Sequence, residues 1–232
     1  MIALYIWVSL LLPLVWGNTE KTIFLGPSPV DFESTYPTLD YSGLVPLSPE
    51  SFTVRTALKA EFHNNHLSHG TPSWFVLHNL TEGQRYEVRV CWAATQPTAF
   101  KLEVYDPETL FRAPDLTSEL SEYASTLQMN TNDHAAAVLL PKLESNTKDS
   151  VLLLRILSTA DFYTADHTLM KNVPPVLVDI ILDPFILNIL PRSLLSTVTY
   201  IIVVAIVSWF VGEWISSWVC QVAGEPTKQK YQ

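Results

Sequence analysis

Cysteine and glycine are scarce in this chain, at two and seven among 232 residues. Two cysteines exclude a disulfide-dense scaffold and any multi-cysteine zinc site. So few glycines leave little from which to build a backbone cradle for phosphate. There is no GxSxG elbow, HExxH, Gly-rich phosphate loop or CxxC pair. Positive charge is also short, with 14 Lys+Arg against 23 Asp+Glu and a net charge of −9. A nucleic-acid binder needs a basic face to displace counterions from phosphates, so that class is set aside. Charged residues of both signs make up only 16 % against 48 % apolar. The apolar excess lies at the two ends.

Residues Ala3 to Val15 read ALYIWVSLLLPLV and carry no charge. The run is short for a bilayer span, and Val15 and Gly17 sit at the −3 and −1 positions of a cleavage site before Asn18. Residues 1–17 therefore read as a secretory signal peptide. At the other end, Ser193 to Gly212 holds no charge over 20 residues. At ~1.5 Å per residue that is ~30 Å, the thickness of a hydrocarbon core. Trp209, Trp214 and Trp218 stand where an aromatic belt would lie, with Tyr200 nearer the other side. Residues 193–212 are expected to be one transmembrane helix, with Glu213 marking the cytoplasmic edge of a 213–232 tail. A cleaved signal followed by one span predicts a single-pass type I membrane protein with a lumenal body over 18–192. That body holds all of the net −9, because the tail balances two acids with two lysines. Those lysines, Lys228 and Lys230 in the terminal KQKYQ, match the KxKxx form of a dilysine retrieval address and predict the endoplasmic reticulum membrane.

The body reads mainly as β. Phe52, Val54, Thr56, Leu58 and Ala60 alternate with polar neighbours, as do Tyr86 to Trp92 and Phe100 to Val104. Further runs are Trp74 to His78, Ala135 to Leu140, Val151 to Leu157 and Val176 to Leu182. One helix is expected near Ser118 to Gln128, with Leu120, Tyr123, Ala124 and Leu127 on one face. Short strands at this spacing predict an antiparallel lumenal β-sandwich, immunoglobulin- or fibronectin-like, plus the C-terminal helix. LTEGQRYEVRV sharpens the expectation. Leu80, a Gly turn and Tyr86 resemble a tyrosine corner, in which the phenol bonds back to an upstream backbone group. Cys91 lies mid-strand and Cys220 at the far membrane edge, so no internal disulfide is expected.

Asn79-Leu80-Thr81 is the single N-x-S/T sequon and marks Asn79 as the glycosylation candidate. The late DPFILNILPRSL is too short and too acidic at Asp179 and Asp183 to belong to a second span. Within a membrane-proximal segment 183–192, Phe185, Ile186, Leu187, Ile189 and Leu190 are the candidate contacts with the membrane or a partner. His63, His66 and His69 could ligate zinc in principle, since catalytic sites use three His. Their three-residue spacing is not the i, i+4 pair of a zincin helix, so they read as a solvated loop and no metal is expected. Nothing in the spacing of the many Asp and Glu selects an acid/base pair. No catalytic residue and no cofactor are assigned.

Several stretches together carry a resemblance: the leader, TIFLGPSP, SWFVLHNLTEGQRYEVRVCWAATQPTAFKLEVY, LDPFILNILPRSL, one span and the dilysine tail. The chain resembles the fungal co-activator, or small accessory subunit, of the second GPI mannosyltransferase. That resemblance implies a non-catalytic subunit of a glycosyltransferase complex in GPI-anchor biosynthesis. Its partner would be a multi-spanning ER mannosyltransferase that adds the second mannose from a dolichol-linked donor. The alternatives are the accessory subunit of the first GPI mannosyltransferase, an early-secretory-pathway cargo receptor or chaperone, and an ER hydrolase using the histidines.

Overall fold

In the computed structural model the described residues are 18–30, 43–63, 70–130 and 148–223. The leader 1–17, the Ala135 to Leu140 run, His66, His69, Lys228 and Lys230 lie outside them. Among the described residues nine strands form two sheets. The first has the order β1-β5-β8-β3, with β9 added beyond β8, and the second has the order β2-β4-β7-β6. The strands of the first are β1 (Thr19–Leu25), β3 (Thr53–Leu58), β5 (Arg85–Trp92), β8 (Val176–Ile186) and β9 (Leu190–Pro191). Those of the second are β2 (Val45–Leu47), β4 (Thr71–Leu77), β6 (Thr98–Tyr105) and β7 (Leu152–Ala160).

The period-2 patterns do what they imply. Tyr86, Val88 and Val90 of β5 meet Val176, Val178, Ile180 and Leu182 of β8 in one buried cluster. Phe75 and Leu77 of β4, Phe100 of β6 and Leu154 and Ile156 of β7 enter the same cluster from the second sheet. The two sheets thus sandwich a single apolar core. Trp92 and Phe100 meet edge to face across it at 4.7 Å. Phe52, read as the first inward residue of its strand, instead lies outside β3 and is 52 % exposed.

Two features differ from the expected sandwich. The ladders are antiparallel except β2–β4, which is parallel, so the second sheet is mixed. An immunoglobulin constant domain pairs A-B-E-D opposite C-F-G, whereas here the first strand pairs with the fifth. The sandwich holds, and its strand order differs from the immunoglobulin one.

β4 and β7 are buried on both faces, which is why SWFVL and LLLRIL read as continuous apolar runs. Their outer face is covered by α1 (Pro107–Phe111) and α2 (Pro114–Asn130). Asp106 caps α1, accepting from the Thr109 backbone N–H at 2.9 Å. Leu110, Leu120 and Ala124 close a second cluster over Trp74, Val76 and Leu153. This is the helix and the face expected from Leu120 and Ala124, with ends extended by about a turn.

A short α3 (His167–Lys171) precedes β8. A 3-10 turn at Arg192–Leu194 leads into α4, Leu195–Ala223. Among the described residues this is the one helix long and apolar enough to cross a membrane, and none of its most apolar stretch is buried. It runs past Gly212 and takes Glu213 into its body.

Candidate functional site

The end of the sandwich from which α4 departs gathers most of the segments singled out in the sequence. The late apolar segment is a hairpin there. β8 continues to Ile186, and the chain turns at Leu187 and Asn188, both left-handed at φ 53 and 60. The Ile189 N–H donates to the Ile186 carbonyl at 3.1 Å, and β9 pairs Phe185 with Pro191 and Ile186 with Leu190. Two left-handed residues suit a tight hairpin because their twist matches that of the flanking strands. Asn adopts this conformation readily, but Leu does so under strain.

Of the five candidate contacts, the structure turns Phe185 inward at 6 % exposure, so it is not a surface contact. Its ring lies under the Arg85 guanidinium at 5.8 Å. Leu190 is half-buried. Leu187 at 86 % and Ile189 at 78 % stand free at the tip, with Ile186 on its shoulder.

The β4–β5 turn is clipped to this hairpin. The Asn188 side-chain oxygen accepts from the Arg85 N–H at 2.8 Å, and its amide donates to the Gly83 carbonyl at 3.0 Å. Gln84 donates from its side chain to the Phe185 carbonyl at 3.2 Å. Within the same turn lies the corner suggested by the sequence. Tyr86 is fully buried, and its hydroxyl accepts from the Thr81 N–H at 2.9 Å and donates to Gln84 Oε1 at 3.0 Å.

TIFLGPSP packs against this corner. The Gly26 N–H donates to the Gln84 carbonyl at 2.8 Å, and Gly26 accepts from Gly83 at 2.9 Å. A Cβ on Gly26 would stand 2.2 Å from the Thr81 carbonyl oxygen, so only glycine allows this approach. Asn79 is exposed with φ 54, and its N–H donates to Asp149 Oδ1 at 2.9 Å. Burial lowers the pKa of the neighbouring His78, against the pull of Asp149.

Asp183 joins the hairpin to the helix. It is only 5 % exposed, and its two carboxylate oxygens accept from the Ser193 N–H at 3.2 and 3.3 Å. A carboxylate at this position satisfies a free N–H where the helical turns begin and complements the positive end of the dipole. Arg89 lies 3.8 Å from Asp183 and 3.7 Å from Glu87, and Lys21 bonds Glu87 at 3.0 Å. This row of alternating charge on the outer face of the first sheet links Asp183 on β8 to β5 and β1. The sequence offered Asp183 only as an argument against a second span. Its spacing ten residues before Ser193, across a turn containing Asn, was the available signal for a hairpin with a capping acid.

The other polar network is remote, under α2. Arg155 bonds Glu119 at 2.8 and 2.5 Å and Glu103 at 3.0 Å. Trp74 Nε1 donates to Glu119 at 3.0 Å and the Tyr105 hydroxyl to Glu103 at 2.8 Å. Burial opposes ionisation of Glu103, but hydrogen bonds from Lys101, Tyr105 and Arg155 prevail and hold its carboxyl down at about 2. Burial likewise opposes the charge on Arg155, but Glu119 and Glu103 outweigh it and raise its pKa. Every named member is paired, and the network fastens α2 to the sheet.

His63 is exposed. Among the described residues no three His, Cys, Asp or Glu are grouped to hold a metal. Cys91 and Cys220 are both free thiols. The geometry of this end supplies rigid connection and an apolar tip.

The family described as GPI-mannosyltransferase II co-activator matches residues 8–139. That range takes in β1, the corner and β2 to β6. Neither curated proteins nor solved structures give a match.

Proposed function

The chain belongs to the Pga1 family of GPI-mannosyltransferase II co-activators, and on that premise we propose that it is a non-catalytic subunit of the mannosyltransferase that adds the second mannose to the GPI precursor. Residues 1–17 direct export and are cleaved. Residues 18–192 form the lumenal domain, residues 193–212 the membrane-crossing segment, which takes in the first part of α4, and residues 213–232 a cytoplasmic tail. Lys228 and Lys230 return the protein to the endoplasmic reticulum as a single-pass type I subunit, and Asn79 carries a glycan. The partner is a multi-spanning catalytic subunit.

The observation that carries this reading is the family match over 8–139, the half of the chain that holds the corner and the Gly26 contact. One helix is little scaffold for handling a polyprenyl-linked sugar, which supports an accessory role over a catalytic one. A sandwich clipped to the start of that helix suits a part that holds a larger enzyme in position.

The test is depletion of the chain, followed by chromatography of lipids labelled with inositol. Accumulation of the one-mannose intermediate is expected. A precursor without mannose would assign the chain to the first mannosyltransferase instead. Normal GPI intermediates beside secretory cargo held in the endoplasmic reticulum would replace the reading with a cargo receptor.

A further inference from the structure

We propose that the β8–β9 hairpin tip, led by Leu187 and Ile189, seats in the boundary between lipid headgroups and acyl chains of the leaflet that α4 enters. The inference rests on α4 crossing the bilayer. It adds a second point of attachment, which would fix how the sandwich stands on the membrane.

Four observations point to lipid. The tip is continuous with the helix, since β9 ends at Pro191 and the helical turns begin at Arg192. The distance fits. α4 has 29 residues, or ~43 Å at ~1.5 Å per residue, the depth of a bilayer with its headgroups. The 20 uncharged residues 193–212 account for ~30 Å, the hydrocarbon core, so Ser193 lies at the boundary between headgroups and acyl chains. Asp183 holds Ser193, and the four residue steps from Asp183 to Leu187 span about 13 Å. The tip therefore stays within about 13 Å of a residue at that boundary.

The tip's composition also fits. Leu187 at φ 53 occupies a position where Gly or Asn would be unstrained, so an apolar side chain is kept there against the local backbone preference. The flanking charge is of the right sign. In a chain of net −9, the exposed cations beside the tip are Arg85, braced over Phe185, and Arg192. Arginine beside exposed leucine and isoleucine matches phosphate above acyl chain. Withdrawing both apolar side chains from water favours the seated position by on the order of a hundredfold.

The test uses the full chain with Cys91→Ser and Cys220→Ser, in phosphatidylcholine vesicles. A small fluorophore is attached in turn at Leu187→Cys, Ile189→Cys, Ala57→Cys and Val204→Cys. Aqueous iodide and lipids bearing a nitroxide near the headgroup end of the acyl chain are the two quenchers. Tyrosine-corner integrity is checked in each variant by near-UV circular dichroism. The two tip positions should lose iodide quenching and gain lipid quenching, while Ala57→Cys, near the opposite end of β3, should do the reverse. Val204→Cys reports whether α4 is in the bilayer. Lipid quenching at Val204→Cys with iodide quenching at both tip positions would overturn the inference and leave the membrane reading intact. Iodide quenching at all four positions would overturn both. Tip positions that become shielded from both quenchers only when the catalytic partner is co-reconstituted would make the occupant a protein and end the lipid assignment.

Discussion

Replacing Tyr86 with Phe removes one oxygen atom and little else, which makes it a sharp probe of the corner. The ring stays buried and keeps its stacking on Phe24 at 5.8 Å. What is lost is the acceptor for the Thr81 N–H and the donor to Gln84. A typical neutral hydrogen bond is worth about 1 kcal/mol net, and a donor left without a partner costs about 1–3 kcal/mol. The expected loss is therefore roughly 2 kcal/mol, a sizeable part of a domain's 5–15 kcal/mol. With an m-value of about 2 kcal/mol per molar, the urea midpoint of the detergent-solubilised chain should fall by roughly 1 M. Thr81→Ala is the matched control. It abolishes the sequon but keeps the backbone N–H that Tyr86 accepts from, so its shift should stay within about 0.5 kcal/mol. Near-UV circular dichroism reports both. An unchanged midpoint for Tyr86→Phe, or an equal loss for Thr81→Ala, would mean that the hydroxyl does not hold this turn.

Gly26→Ala should destabilise more than Tyr86→Phe, because its Cβ meets backbone at 2.2 Å and backbone yields less readily than a side chain; the same urea series ranks the two. Glu103 has a folded pKa of about 2, below its ordinary value of 4.5, so its contribution is present above pH 4.5 and is lost as pH falls through 2. The stability gap between the wild type and Glu103→Gln should be constant from neutral pH to about 5 and close on further acidification, as read from urea midpoints across that range. Replacing Lys228 and Lys230 with Ser should let the chain move forward to the Golgi when its partner is limiting; an Asn79 glycan that then remains fully sensitive to a high-mannose-specific endoglycosidase would refute the retrieval address. Replacing His63, His66 and His69 together with Ala should leave GPI synthesis unchanged, and stoichiometric zinc in the wild type with lost activity in the variant would reverse that assignment.

Strands buried on one face were read from their alternation, and β4 and β7, buried on both, from their continuous apolar runs. β3, β5 and β8 alternate because one side meets the core and the other meets water or paired charge. β1 was missed because its outer face mixes Ile23 and Leu25, at 52 % and 57 % exposure, with Lys21, which blurs the period. β2 is only three residues long and exists through its parallel pairing with β4, a partner that no local pattern can name. The helix face of α2 was legible from Leu120 and Ala124, but its seat was not. Trp74 and Leu153 present their second apolar face to it from strands that read as ordinary core. The corner was legible because the Gly turn and Tyr86 are close in sequence. Gly26, which closes it from 60 residues away, was visible only as part of TIFLGPSP.

The late segment shows most clearly how far an apolar pattern can mislead. FILNIL reads as one continuous contact surface, yet a turn at Leu187 and Asn188 divides it into residues with opposite fates. Phe185 belongs to the ladder and supports Arg85, so a charge there would disrupt folding and could not report on binding. Leu187 and Ile189 belong to the outside. What separates them is Asn188, whose side chain bonds both Arg85 and Gly83 and thereby locks the turn. Asp183, on β8, then accepts from the Ser193 N–H in the 3-10 turn that leads into the helix. The hairpin, the corner and the helix start are joined by hydrogen bonds that involve the side chains of Asn188, Gln84, Tyr86 and Asp183. Hydrogen bonds thus run from the start of the helical turns through β8 and the hairpin to the β4–β5 turn. That coupling is the physical property an accessory subunit needs if a single helix is to hold a lumenal domain against a larger enzyme.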